Sequence, residues 1–313
     1  MNGRRPAIAA AGIVLVLGAA ALIAATRRSA QSPRPPTIAP ALPQPFPAPQ
    51  PGAVVFARQD RTDVLALAVL PRAHDLVLRA SVVGAQGRGV RGLRVVLTAG
   101  GGPAQAPATA CGAGCYQATL PLRSRPRTLR VLVQRPSRRT IWQVRVPTTW
   151  PAPGASALIA RATRVWTHLR SLSYVDRLRS DPVHAVVSHW RVVAPDRLAY
   201  RIDPGDIRSV IIGRQRWDRS GGGAWSKSQA LRLHQPQPFW VGAADPHVVG
   251  SGSIRGRRVW RVSFFDPKTP AWFLVSIDKE TARTLDLRMW ATAHFMHDTY
   301  GQFNAPFEIV PPA

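Results

Sequence analysis

The sequence predicts a mostly β protein of the α+β kind: an N-terminal transmembrane helix, a small antiparallel β-sandwich, then a curved antiparallel half-barrel sheet packed on a helix. Three observations carry this reading. Residues 6–25 carry no charge and match the length a bilayer-spanning helix needs. From residue 62 onward, short apolar runs recur between Gly-, Pro- and Asp-rich turns, the pattern of strands. Directly after residue 156, one stretch repeats its apolar residues at helical spacing. With 313 residues, 45% of them hydrophobic, the chain can build two ordinary cores. The segments read as a membrane anchor over 1–30, a Pro-rich linker over 31–60, a sandwich over 61–148 and a half-barrel over 149–313.

The anchor comes first. Arg4 and Arg5 precede the apolar stretch and Arg27 and Arg28 follow it at once. A cleavable signal peptide has a shorter apolar region and a small-residue cleavage site, so this reads as a retained anchor. The flanking charges nearly balance and do not orient the helix. Cys111 and Cys115, the two cysteines of the chain, bear on the compartment instead. A close pair in an exported domain is most simply a disulfide, the alternatives being reduced thiols or half of a metal site. The expected location is the cell membrane, single-pass, with the C-terminal domains extracytoplasmic. Residues 33–51 then hold nine of the 30 prolines and are expected to act as an extended spacer.

The sandwich is read from "VLALAVL", "LVLRASVVG", "LRVVLT", "CYQATL", "TLRVLVQ" and "TIWQVRV". Leu129, Val131 and Val133 alternate against Arg130 and Leu132, as a half-buried strand requires. The Gly-rich turns lack a following Lys-Ser or Lys-Thr and are hairpin loops, not phosphate cradles. Through "LALAVLP", "GRGVRGLRVVL" and "CGAGCYQATL" this segment resembles the YtkA-like domain, an immunoglobulin-like sandwich of bacterial envelope proteins often met in copper-related contexts. The resemblance implies a binding or structural module without catalytic residues.

"PTTWPAPGAS" marks the next boundary. Leu158, Ala162, Val165, Trp166, Leu169 and Leu172 then recur at helical spacing. Long strands follow: "HAVVSHWRVVAPDRLAYRID", "RSVIIGRQRWDRS", "GAWSKS", "GRRVWRVSFFD", "PAWFLVSID" and "RTLDLRMWATAHF". Eight of the ten Trp residues lie from Trp166 onward, and several strands are apolar on both faces. Either an internal hydrophobic cavity or a sheet covered on both sides accounts for that surplus. The order of elements, with "YVDRLRSD", "VVAPDRLAYRI", "IIGRQRWDRSGGGAWSKS" and "PAWFLVSIDKETARTLDLRM", is similar to the LolA-like and LppX-like lipoprotein-carrier fold. That fold is an open half-barrel closed by helices that holds acyl chains. The chain departs from it at Ala282, where the family commonly has Gly, and no lipobox Cys follows the apolar run. A chain tethered by a helix does not shuttle lipoproteins between membranes.

Composition and motifs narrow the function. The net charge is +26, but only Lys227, Lys268 and Lys279 are lysines and the arginines are dispersed through strands, so no nucleic-acid footprint emerges. Attraction to anionic lipid headgroups is the expected consequence of the charge. No nucleophile elbow is present, paired carboxylates are scarce, and a non-enzyme is expected. The expected partners are the membrane and a hydrophobic or lipid ligand, with Trp166, Leu169, Trp217, Trp225, Trp260 and Trp272 as the candidate cavity residues and the sandwich presenting the ligand or docking a partner. Copper handling in the envelope is the alternative, with His294, Met296 and His297 as ligands; a structural envelope protein with a filled core is the second. No other cofactor is expected. If 285–296 formed one strand, Trp290, His294 and Met296 would share a face and His297 would lie on the other.

Overall fold

A computed structural model of the protein describes residues 46–100, 105–121, 126–231 and 236–313. The apolar stretch 6–25 and most of the Pro-rich spacer lie outside the described residues. Among the described residues, no helix is long and apolar enough to cross a membrane. Contacts divide the chain after Leu42, and every described residue belongs to the second unit, Pro43–Ala313.

The N-terminal strands are β1 (Val54–Asp60), β2 (Asp63–Pro71), β3 (Asp75–Val83), β4 (Arg94–Ala99), β5 (Gln105–Pro107), β6 (Thr109–Gly112), β7 (Cys115–Pro121), β8 (Thr128–Arg135) and β9 (Arg138–Arg145). A five-stranded antiparallel sheet, β1-β2-β3-β7-β6, faces a four-stranded one, β5-β4-β8-β9. Leu67 and Leu78 from the first sheet meet Leu97 and Val131 from the second in a shared core, where all four are fully buried. Alternation produces this: Leu129, Val131 and Val133 point inward. Buried Asp60 ties the sheets together, accepting hydrogen bonds from Arg138 Nη2 at 2.8 Å, Arg135 Nη1 at 3.1 Å and Thr140 Oγ1 at 3.2 Å. Cys111 and Cys115 form a disulfide across the β6–β7 turn.

The sandwich starts earlier than residue 61. Strand β1 lies inside the stretch read as linker, because Val54, Val55 and Phe56 pair with β2 through a turn at Arg61–Thr62. The spacer reading also stops short of Phe46, which is buried against Trp272 with ring centroids 5.0 Å apart.

Helix α1 spans Ser156–Thr167 and buries Ile159, Ala162 and Trp166. It is shorter than the apolar spacing implies, since Leu169 and Leu172 lie beyond it. The Thr167 hydroxyl donates to the Arg164 carbonyl at 2.9 Å and His168 Nδ1 sits 2.7 Å from the same oxygen, so side chains occupy the last turn's acceptor. The remaining strands are β10 (Ser171–Arg179), β11 (Ala185–Val193), β12 (Arg197–Asp203), β13 (Ile207–Ile212), β14 (Gln215–Arg219), β15 (Ser226–Gln229), β16 (Ala244–Ile254), β17 (Arg257–Asp266), β18 (Ala271–Asp278), β19 (Thr284–Ala291) and β20 (His294–Gly301). They form one open eleven-stranded antiparallel sheet in the order β15-β14-β13-β12-β11-β10-β20-β19-β18-β17-β16.

The expected single strand through 285–296 is two strands. Thr292 and Ala293 turn the chain, Ala293 adopting φ 54°, and β19 pairs with β20 from Ala291↔His294 onward. The register groups His294 and Met296 with Ala291 and Met289 on one face, and sends Trp290, Phe295 and His297 to the other. Trp290 therefore does not share a face with His294 and Met296.

The two faces of this sheet have different neighbours. One face meets α1 through Tyr300, whose ring centroid is 5.5 Å from that of Trp166. On the far face, Phe265, Trp272 and Phe295 pack against Val55, Val64, Ala66 and Ala68 of β1 and β2. The sandwich thus covers the β17–β20 part of the far face, and strands β10–β13 leave theirs to other neighbours.

Candidate functional site

Aromatic rings pack between α1 and the sheet. Rings run without a break from Trp240 through Trp166, Tyr300, Tyr174 and Trp190 to Tyr200, at centroid separations of 5.3, 5.5, 5.4, 5.6 and 4.5 Å. The Trp166 indole N–H donates to the Pro236 carbonyl at 2.8 Å, and that of Trp240 to Thr163 Oγ1 at 3.1 Å. Between these rings lie two buried carboxyls, Asp176 and Asp298, directly opposite each other on β10 and β20. Tyr300 donates to Asp298 at 2.6 Å and Ser188 to Asp176 at 3.3 Å. Burial pushes Asp176 up to about 6, and burial together with the Asp176 charge holds Asp298 well above the usual carboxylate range. The Oδ1 of each is buried without a hydrogen-bond partner, an environment that favours the protonated acid.

The cleft of this sheet opens on the far face. It has a volume of about 600 Å³ and is lined by side chains of β10 to β13, by Trp225 from the turn before β15 and by Gln302 from the C-terminal tail. Tyr174, Trp190, Tyr200 and Ser209 border it too, although alternation turns their side chains toward the helix side. Val175, Ala199 and Val210 supply an aliphatic floor, and Ser173, His189, Arg191, Arg201 and Arg208 surround it. Trp225 lies over Arg219, whose guanidinium carbon is 5.0 Å from the ring centre. Ser173 Oγ donates to Gln302 Oε1 at 2.8 Å, which ties the tail to the rim. The tail continues past the cleft, where Phe307 receives the Arg191 guanidinium at 5.6 Å and the Ile309 carbonyl accepts from Arg197 at 2.8 Å.

Of the six aromatic and aliphatic residues singled out from the sequence, Trp225 alone lines this cleft. Trp166 and Leu169 are buried on the helix side. Trp217 is buried near Lys227, Trp260 is 38% exposed beneath Lys279, and Trp272 faces the sandwich. Composition pointed to tryptophan, but strand parity and not residue type decides which rings share a surface. The arginines of the cleft were missed, although one signal for them exists. Arg201 and Arg208 are equidistant from the Pro204–Gly205 turn, so a hairpin there must place them opposite each other.

The three residues proposed for copper are divided. His294 Nδ1 lies 3.0 Å from the Thr292 carbonyl, Met296 is buried on the helix side, and His297 Nε2 lies 2.5 Å from Asp286 Oδ2 on the far face. Among the described residues, no group of three or more His, Cys, Asp or Glu is placed to hold a metal ion.

No protein-family model matches the chain, and no curated protein matches it. Among solved structures, the chain is similar to the lipoprotein LppX of Mycobacterium tuberculosis, at 13% identity, a TM-score of 0.41, and 49% of this chain over 98% of that one. It is similar to LprF from Mycobacterium bovis at 12% identity, a TM-score of 0.39, and 51% of this chain over 97% of that one. A LolA superfamily protein from Nitrosomonas europaea aligns at 11% identity and a TM-score of 0.24, with 51% of this chain over 96% of that one.

Proposed function

We propose that this chain is a non-enzymatic binding protein that holds a hydrophobic or lipid ligand on the far face of its eleven-stranded sheet. The observation that supports it most is the cleft of about 600 Å³ floored by Val175, Ala199 and Val210 and walled by Trp225. A mostly apolar concavity of that size, edged by a few polar groups, is the usual form of a small-ligand site, for which volumes of about 300–1,000 Å³ are typical. The reading without chemistry rests on the wiring of the cleft. The Ser173 hydroxyl is turned to Gln302, and His189 Nε2 is 3.3 Å from Asp203 Oδ2, so hydroxyl and imidazole have separate partners. Residues 6–25 hold the chain at the membrane, and a Cys111–Cys115 disulfide fits an oxidising compartment outside the cytoplasm.

The test is uptake of a fluorescent fatty acid by the full chain, with native mass spectrometry of the protein purified from membranes. A saturable signal and a co-purifying lipid mass are expected, and Val210→Asp, which puts a charge in the floor, abolishes uptake while the circular dichroism spectrum is unchanged. An apo mass with no uptake would sink the proposal.

A further inference from the structure

The cleft is apolar below and cationic above. Across the far face, Arg219, Arg208, Arg201 and His189 occupy four adjacent strands in direct cross-strand register, and Arg191 sits one pair further along β11. Opposite residues in an antiparallel pair have Cβ atoms about 4.5–5.5 Å apart, and like charges placed so repel. A sheet that sets arginine opposite arginine twice in succession carries a standing cost that neutral side chains would avoid.

Protein carboxylates meet only part of it. Asp203 reaches Arg201 through Nη2 and His189 through Nε2, both at 3.3 Å, and Asp206 reaches Arg208 through Nε at 2.8 Å. Asp203 ends β12 and Asp206 lies in the β12–β13 turn, and no Asp or Glu is among the residues that line the cleft. Each guanidinium has five N–H donors in a planar fork. Those of Arg201 and Arg208 beyond the ones named have no protein acceptor among the described residues, and Arg191 has a ring contact but no carboxylate. Exposed guanidinium forks converging on an uncharged floor suit a carboxylate or phosphate, whose oxygens accept paired N–H bonds.

We propose that Arg201 and Arg208, flanked by Arg191, hold the anionic head of an amphiphile whose apolar part lies over Val175, Ala199 and Val210. This rests on the ligand-binding reading above and adds the class of ligand: one small single-headed amphiphile bearing a carboxylate or phosphate. The oxyanion is the chemistry the arginines recognise, and the apolar chain is what the floor recognises.

The two parts separate by calorimetry on the full chain in neutral-lipid nanodiscs, with empty nanodiscs as blank. The probes are dodecyl phosphate below its micelle concentration, dodecanol and inorganic phosphate. Dodecyl phosphate is expected to bind most tightly, and Arg201→Gln with Arg208→Gln weakens it by about 30-fold or more, as the loss of charge-assisted bonds implies. Dodecanol binding is expected to be weaker and unchanged by the double substitution, which also shows that the variant is folded. Equal affinity for dodecyl phosphate and dodecanol, insensitive to the substitutions, overturns the headgroup assignment and leaves the hydrophobic-ligand reading standing. Inorganic phosphate binding as tightly as dodecyl phosphate, and lost in the variant, supports the oxyanion site and removes the apolar ligand. Binding that appears only with anionic vesicles and with none of the soluble probes overturns both.

Discussion

Asp176 and Asp298 make the sharpest statement at the level of single residues. Both folded-state values are raised, so the native protein binds more protons than the unfolded chain above the ordinary aspartate value, up to about 6 in the case of Asp176. Stability from Asp176 is therefore fully present below about pH 3.9 and is lost as pH rises through about 6, by an amount on the order of 3 kcal/mol, and Asp298, also raised, acts in the same sense. Asp181, Asp206 and Asp278 act in the opposite sense, since their values are lowered and their contribution fades only as pH falls through the acid range below. Urea unfolding midpoints are expected to fall from pH 4 to pH 6.5. The Asp298→Asn variant, whose amide can donate to Asp176, flattens that slope and is more stable than the parent at pH 7; an unaltered slope would contradict the raised values. Trp225→Ala tests the cleft separately. Uptake of a fluorescent fatty acid is expected to weaken roughly ten-fold with the unfolding midpoint unchanged, since the ring is half-exposed and closes the cleft without anchoring the core.

Elements were legible where an apolar run or a clean alternation stood between turn residues. The six sandwich strands read from the sequence appear as β2, β3, β4, β7, β8 and β9, the first two as near-continuous apolar runs buried on both faces and β8 by its two-residue period. The elements that escaped had neighbours that disguised them. Strand β1 follows a proline tract, and β16 is broken by Gly250 and Gly252 and by two register shifts. The β19–β20 hairpin lacks the Asn-Gly or Asp-Gly that announces a two-residue turn, and has Thr292–Ala293 instead. Ala293 takes a left-handed conformation there, where a Cβ is unfavourable. Ala293→Gly is expected to raise the unfolding free energy by about 0.5–1 kcal/mol with no change in ligand uptake, measured by chemical denaturation. The cleft was less legible than the strands around it. Arg191, Arg201 and Arg208 sit among 42 basic residues in a chain whose composition already favours arginine, and the register of three strands makes neighbours of them.

At the scale of the whole molecule, two sheet systems share a second core. Phe46, Val55, Val64 and Ala66 close on Phe265, Trp272 and Phe295, and Gly52 donates its N–H to Asp245 across the same boundary at 3.0 Å. The sandwich and the eleven-stranded sheet should therefore melt together. Trp272→Ala removes a fully packed indole from that boundary and is expected to cost about 3–5 kcal/mol. Differential scanning calorimetry should show one transition in the parent and two in the variant; a single transition in both would mean that the interface does not couple them. A further consequence follows from the numbering of β10, β11 and β12. By strand parity the side chains of Leu172, Tyr174, Asp176, Ser188, Trp190, Val192, Leu198, Tyr200 and Ile202 share the helix side and those of Ser173, Val175, His189, Arg191, Ala199 and Arg201 share the other, although Tyr174, Trp190 and Tyr200 also border the cleft. Even positions write the fold and odd positions write the ligand, interleaved like two texts on alternate lines. A library randomised at the odd positions alone would leave the ring stack untouched, so new binding preferences can arise in this chain without passing through unfolded intermediates.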